Sequence, residues 1–220
     1  MKFQSFLAAS AILSLTSAHF HVVAPEWRGD SFARGASQWL FPCANVSETA
    51  DPSNRTQWPV TGGSVAINGS HEWALTYVNL GLGTNVSSFN ISLLDSYNQT
   101  GAGVFCLKEA GKAALEEGLA AAGLNSSSVD GVHASLQIIQ IAHSGASLYN
   151  CADITFNASA TLLSDDVCQN GTDVGGSAIQ NVGASQTQEE SPAESSGAAS
   201  ALSPAVGGGF LAAVIAWGLL

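Results

Sequence analysis

"SLQIIQIAHSGASLYNCADITF", residues 135–156, sets two apolar runs on either side of a short His-Ser-Gly break. Each run is short, carries many β-branched or aromatic residues and is bounded by turn formers, so each reads as a strand. Side chains alternate along a strand. In the second run Ala152, Ile154 and Phe156 therefore share the core-facing side, and Tyr149, Cys151 and Asp153 share the other. Working outward, "HFHVV" (19–23), "SVAIN" (64–68), "WALTYVNL" (73–80) and "FNISLLD" (89–95) have the same character, separated by Gly, Asn, Ser and Pro clusters. Many short strands of this kind predict an all-β fold, an antiparallel β-sandwich of the immunoglobulin-like or fibronectin-like sort, rather than a parallel α/β sheet. One segment departs: "LKEAGKAALEEGLAAAG" (107–123) predicts a short helical connection, weakened by Gly111 and Gly118.

The two ends of the 220-residue chain read as processing signals. Residues 1–18 combine Lys2, an apolar centre from Phe6 to Leu15 and the small residues Thr16-Ser17-Ala18, the form of a secretory signal peptide cleaved after Ala18. Residues 197–220 end in the apolar "FLAAVIAWGLL". That run is shorter than the roughly 20 residues needed to span a bilayer and has no basic flank. With the small residues Ser195, Ser196 and Gly197 ahead of a weakly polar spacer, it predicts a glycosylphosphatidylinositol (GPI) anchor signal, with Ser196 or Gly197 at the acceptor. Between the signals, residues 19–170 form the expected domain. Residues 171–196, rich in Ser, Gly, Gln, Glu and Thr, form an expected disordered stalk.

Nine Asn-x-Ser/Thr sequons, at Asn45, Asn54, Asn68, Asn85, Asn90, Asn98, Asn125, Asn157 and Asn170, fit a glycoprotein of the secretory pathway. Cys43, Cys106, Cys151 and Cys168 fit two disulfides in an oxidising compartment, with three connectivities open. We favour Cys43–Cys151 with Cys106–Cys168, because the first ties the Asp153 strand to the N-terminal segment. No CxxC pair suggests zinc. Removing Lys2 leaves five basic against 17 acidic side chains. That acidic balance argues against nucleic acid and anionic lipid as partners and is compatible with attracting cations.

Cleavage after Ala18 makes His19 the first residue, with a free α-amine and an imidazole that together chelate a metal. Copper(II) favours nitrogen donors in a tetragonal plane and leads the divalent series at such sites. A second histidine opposite would complete three nitrogens, a histidine brace. Spacing alone does not choose it among His21, His71, His133 and His143, although His21 is too close to His19 to bind from the opposite side.

"HF" after the signal, "PEWRGD", "FPCAN", "RTQWPVTGG", "NGSHEWALTYVNL", "FNISLLD", "VFCLKEAG" and "LYNCADITF" together resemble the fungal copper acquisition factor family, GPI-anchored proteins similar to lytic polysaccharide monooxygenases (LPMO-like). The resemblance implies that His19 and His71 form the brace and that Asp153 joins one copper ion as a further ligand. It also implies copper acquisition at the cell surface without oxidative glycan cleavage. A carboxylate at the open position would favour Cu(II) and compete with oxygen there. The partners expected are copper, the outer leaflet of the plasma membrane through the anchor, and a copper transporter; the chain is expected to be a monomer. The alternative is a lytic polysaccharide monooxygenase acting on cell-wall glycans.

Overall fold

A computed structural model describes residues 19–179. Among the described residues there are nine strands: β1 (Phe20–Ala24), β2 (Thr56–Pro59), β3 (Gly63–Gly69), β4 (Trp73–Leu82), β5 (Ile91–Thr100), β6 (Gly103–Ala110), β7 (His133–Ile141), β8 (Ser147–Asn157) and β9 (Gly175–Ala178). They form a three-stranded sheet, β1-β3-β6, and a six-stranded sheet, β2-β8-β7-β4-β5-β9. All pairings are antiparallel except that of β2 with β8. The fold is an all-β sandwich, as the strand pattern predicts.

Alternation builds the core between the sheets. Phe20 and Val22 of β1, Val65 and Ile67 of β3 and Phe105 of β6 meet Val78, Leu80, Leu136, Ile138, Ala152, Ile154 and Phe156 from the larger sheet. Burying each large side chain of this kind is worth about 1.5–3 kcal/mol.

Three expectations need adjusting. Leu107–Ala110 belong to β6, so the helix, α1, is shorter than the helix-like composition and spans Lys112–Ala121. Cross-strand pairing with β3 overrides helical propensity there. Gly118 is also a contact: a Cβ at that position would lie 2.4 Å from Ile91 Cγ2, so glycine lets α1 settle on β5. Finally, order continues past residue 170. Residues 175–178 form edge strand β9 against Tyr97–Thr100, although the stalk was expected from 171. The ladder needs backbone groups rather than apolar side chains. Gly176 would place a Cβ 2.5 Å from Tyr97 and 2.6 Å from the Asn98 carbonyl, so the small residues permit the pairing. The remainder of the expected stalk, the signal peptide and the anchor signal lie outside the described residues. Among the described residues no helix is long and apolar enough to cross a membrane.

The long segment between β1 and β2 is pinned over β8. The Cys43–Cys151 disulfide ties it down, and Cys106–Cys168 joins β6 to the segment after β8. Buried charges complete the attachment. Glu48 pairs with Arg55 and accepts from the Val86 amide, while Arg55 also donates to the carbonyls of Ala134 and Ile154.

Candidate metal site

β1 and β3 run antiparallel with Phe20 opposite Gly69, which sets His19 beside Ser70 and His71 at the end of the small sheet. The Ser70 amide donates to the His19 carbonyl at 3.0 Å. The Ser70 hydroxyl accepts from the His19 backbone nitrogen at 3.0 Å and donates to the His19 carbonyl at 2.9 Å. The next residue is gripped as firmly. Buried Gln38 accepts from the Phe20 amide at 3.2 Å and donates to its carbonyl at 2.6 Å, and Asn150 of β8 donates to the same carbonyl at 2.9 Å. The His19 ring lies 5.2 Å from the Phe32 ring.

His71 is only 6 % exposed, and its Nε2 is buried with no hydrogen-bond partner among the described residues. Burial lowers its pKa below the ordinary histidine value, and the neighbouring imidazoles of His143 and His19 lower it further. The ring is therefore held neutral, the form a metal ligand needs. A buried nitrogen without a partner is costly unless something arrives to bond it. A cation beside His19 would do so, and imidazole nitrogens are donors that Cu(II) prefers.

The other histidines have different settings. His143 is exposed and its Nδ1 accepts from the Trp73 indole at 2.9 Å. His133 Nδ1 lies 2.9 Å from the Thr155 hydroxyl at the far end of β7. His21 lies on the outer face of β1, its ring beside those of Trp27 and Phe32.

Asp153 is not brought to the histidines. Its carboxylate is only 1 % exposed and accepts from Arg28 Nη2 at 2.7 Å, Arg28 Nε at 3.1 Å, Ser135 Oγ at 2.7 Å and the Thr49 amide at 3.1 Å. Register explains the separation. The end of β7 nearest His71 pairs Ile141 with Ser147 and, on its other side, with Leu75, whereas Asp153 sits opposite Ser135, six rungs away. At about 3.4 Å per residue those six rungs span about 20 Å along the ladder, counted from the end nearest His71. A buried carboxylate needs a partner, and here the partner is Arg28. Among the described residues no group of three His, Cys, Asp or Glu side chains converges to hold a metal ion.

A polar layer that the sequence pattern does not announce lies beneath the site. Gln99, Gln140 and Thr76 are buried between the sheets, with Gln140 Nε2 donating to Gln99 Oε1 at 2.8 Å. Gln140 Oε1 has no hydrogen-bond partner, and a Cβ on Gly69 would lie 3.3 Å from it, so it points at the backbone just ahead of His71. The only clue in the sequence was two glutamines interrupting the apolar run of β7.

The chain is thus an all-β sandwich with His19, just before the first strand, and His71, just after β3, close to one another at the end of the small sheet. The family described as "Copper acquisition factor BIM1-like" matches residues 17–173, and the chain belongs to it. Among curated proteins it is 31% identical over 211 residues to the "Lytic polysaccharide monooxygenase-like protein X325" of Hypocrea jecorina, covering 85% of this chain and 84% of that one. It is 29% identical to the "Lytic polysaccharide monooxygenase-like protein ham-7" of Neurospora crassa, covering 89% and 90% of the two chains. No solved structure matches the chain.

Proposed function

We propose that the mature protein is a glycosylated, GPI-anchored copper(II)-binding protein of the cell surface that takes up or buffers copper as cargo. Removal of residues 1–18 frees the His19 amine, which binds jointly with its own imidazole and with His71. The observation that carries this reading is His71 Nε2, buried without a partner beside His19. Ser70, Gln38 and Asn150 hold the His19–Phe20 backbone, so little ordering remains to be done when the ion arrives.

With Asp153 engaged by Arg28, an axial carboxylate no longer argues for capture over oxidation; that preference rests on the family. The relatives' names keep an oxidase of cell-wall glycans as the second reading. Cu(II) titration of protein beginning at His19, beside protein retaining one extra residue before it, tests the proposal. The first should bind one ion and the second should lose much of the affinity while folding normally; equal affinities would overturn it. Oxidised oligosaccharides formed from glucan or chitin with ascorbate would favour the oxidase.

A further inference from the structure

The outer face of the small sheet carries a cluster of aromatic rings that the copper reading does not use. His21 lies 4.8 Å from Phe32 and 5.1 Å from Trp27 between ring centroids, and Phe32 remains 45 % exposed. Directly across the ladder from His21 is Asn68, also exposed. Cross-strand partners have Cβ atoms about 4.5–5.5 Å apart on one face. Asn68 opens the sequon Asn68-Gly69-Ser70, and the same shallow cleft is lined by His19, His21, Phe32, Asn68, Gly69 and Ser70. A sugar attached to Asn68 Nδ2 would therefore leave the sheet beside the open faces of His21 and Phe32.

We propose that an N-linked glycan on Asn68 packs its first sugar against the His21–Phe32–Trp27 cluster and forms a wall of the cleft that leads to His19. The apolar face of a hexosamine ring, with its C–H groups, suits the electron-rich face of an aromatic ring, and covering Phe32 removes apolar surface from water. Position separates this sequon from the others: Asn68 alone among them lies across the ladder from an aromatic cluster at the candidate metal site. A wall of this kind would let a free ion pass and hinder a bulky chelator. The inference rests on the secretory part of the proposed function and is independent of copper.

The test uses metal-free full-length protein secreted from a host that adds N-glycans. Peptide mapping should find Asn68 occupied. Phe32→Ala should then lower the thermal midpoint by about 2–4 °C more in the glycosylated protein than in the Asn68→Gln background. Trimming the glycan to its first sugar should preserve that difference. If Phe32→Ala does not fold, Phe32→Leu gives the same comparison with the ring alone removed. An unmodified Asn68 in protein glycosylated elsewhere, or equal Phe32 effects in the two backgrounds, overturns the proposal. Failure to bind copper would leave these readouts untouched.

Discussion

Gln38 holds both backbone polar groups of Phe20 in one grip, accepting from its amide and donating to its carbonyl at 3.2 and 2.6 Å. Because Phe20 follows the proposed chelating residue, this side chain fixes where His19 can point. Gln38 is in turn placed by the pinned segment between β1 and β2, through the bond from the Tyr149 amide to its own carbonyl and the bond from its Nε2 to Ser31 Oγ.

Gln38→Ala should therefore act on the site more than on the fold. A buried polar group left unpaired costs about 1–3 kcal/mol. Loss of outer partners of metal ligands typically costs about 10–100-fold in affinity. We expect Cu(II) affinity to fall within that range, measured by isothermal titration at pH 7.5, with thermal melts reporting folding. Unchanged affinity in a folded variant would show that the segment does not position His19.

Asp153→Ala separates an aspartate that holds the fold from one that holds copper. Breaking a buried ion pair by removing one partner costs about 3–5 kcal/mol, because Arg28 is left charged with only the more distant Glu48, at 4.0 Å, to pair with. Chemical denaturation should show a loss of that size, whereas the folded fraction should bind Cu(II) as the parent does. A large change in the electron paramagnetic resonance spectrum of the copper-loaded variant would instead make Asp153 a ligand.

The strands were legible because alternation is a local signal: "WALTYVNL" buries every second residue as written, whereas in "LYNCADITF" Cys151, Asp153 and Thr155 are buried as well, Cys151 being tied by its disulfide to the segment between β1 and β2. The sandwich followed from that pattern, and of the three disulfide connectivities the sequence leaves open, the favoured one is the one the structure has. The role that the resemblance gives Asp153 could not be checked by parity, which gives the face of a strand but not the height along it. Height depends on register with β7, which no local pattern carries. Gln140 was missed for a related reason, since a glutamine in an apolar strand declares itself only when the opposing sheet is in place. The β9 ladder is held by backbone groups against glycines, so the composition that suggests a stalk also describes it.

β9 gives a test of where the domain ends. A chain stopped after Gly171 loses buried Val174 together with the ladder to β5. It should be less stable by at least about 1.5 kcal/mol, the low end for burying an aliphatic side chain. A chain stopped after Gln180 should match the full domain. Gly176→Val should reproduce part of the loss, since its side chain would meet Tyr97 and the Asn98 carbonyl. Equal melting of the two truncations would remove β9 from the folded unit.

Acidification should reach the metal and the fold in different windows. His71 has its folded pKa lowered by burial and by the neighbouring His143 and His19, while in the unfolded chain it titrates near about 6.5. Above that value the ring is neutral in both states, and its contribution to stability is complete. As pH falls below it the unfolded chain takes up the proton first, so stability declines until the lower folded value is passed and then levels. Metal-free protein should lose stability as pH falls below about 6.5, and His71→Gln should flatten that part of the profile. Copper affinity should begin to fall at higher pH, because the terminal amine, with a pKa of about 7.7–8.0, must lose its proton to bind. Denaturation across pH on the metal-free protein, paired with Cu(II) titration on the same samples, would reveal the two windows. A His71→Gln variant with the parent's pH profile would place the titrating group elsewhere.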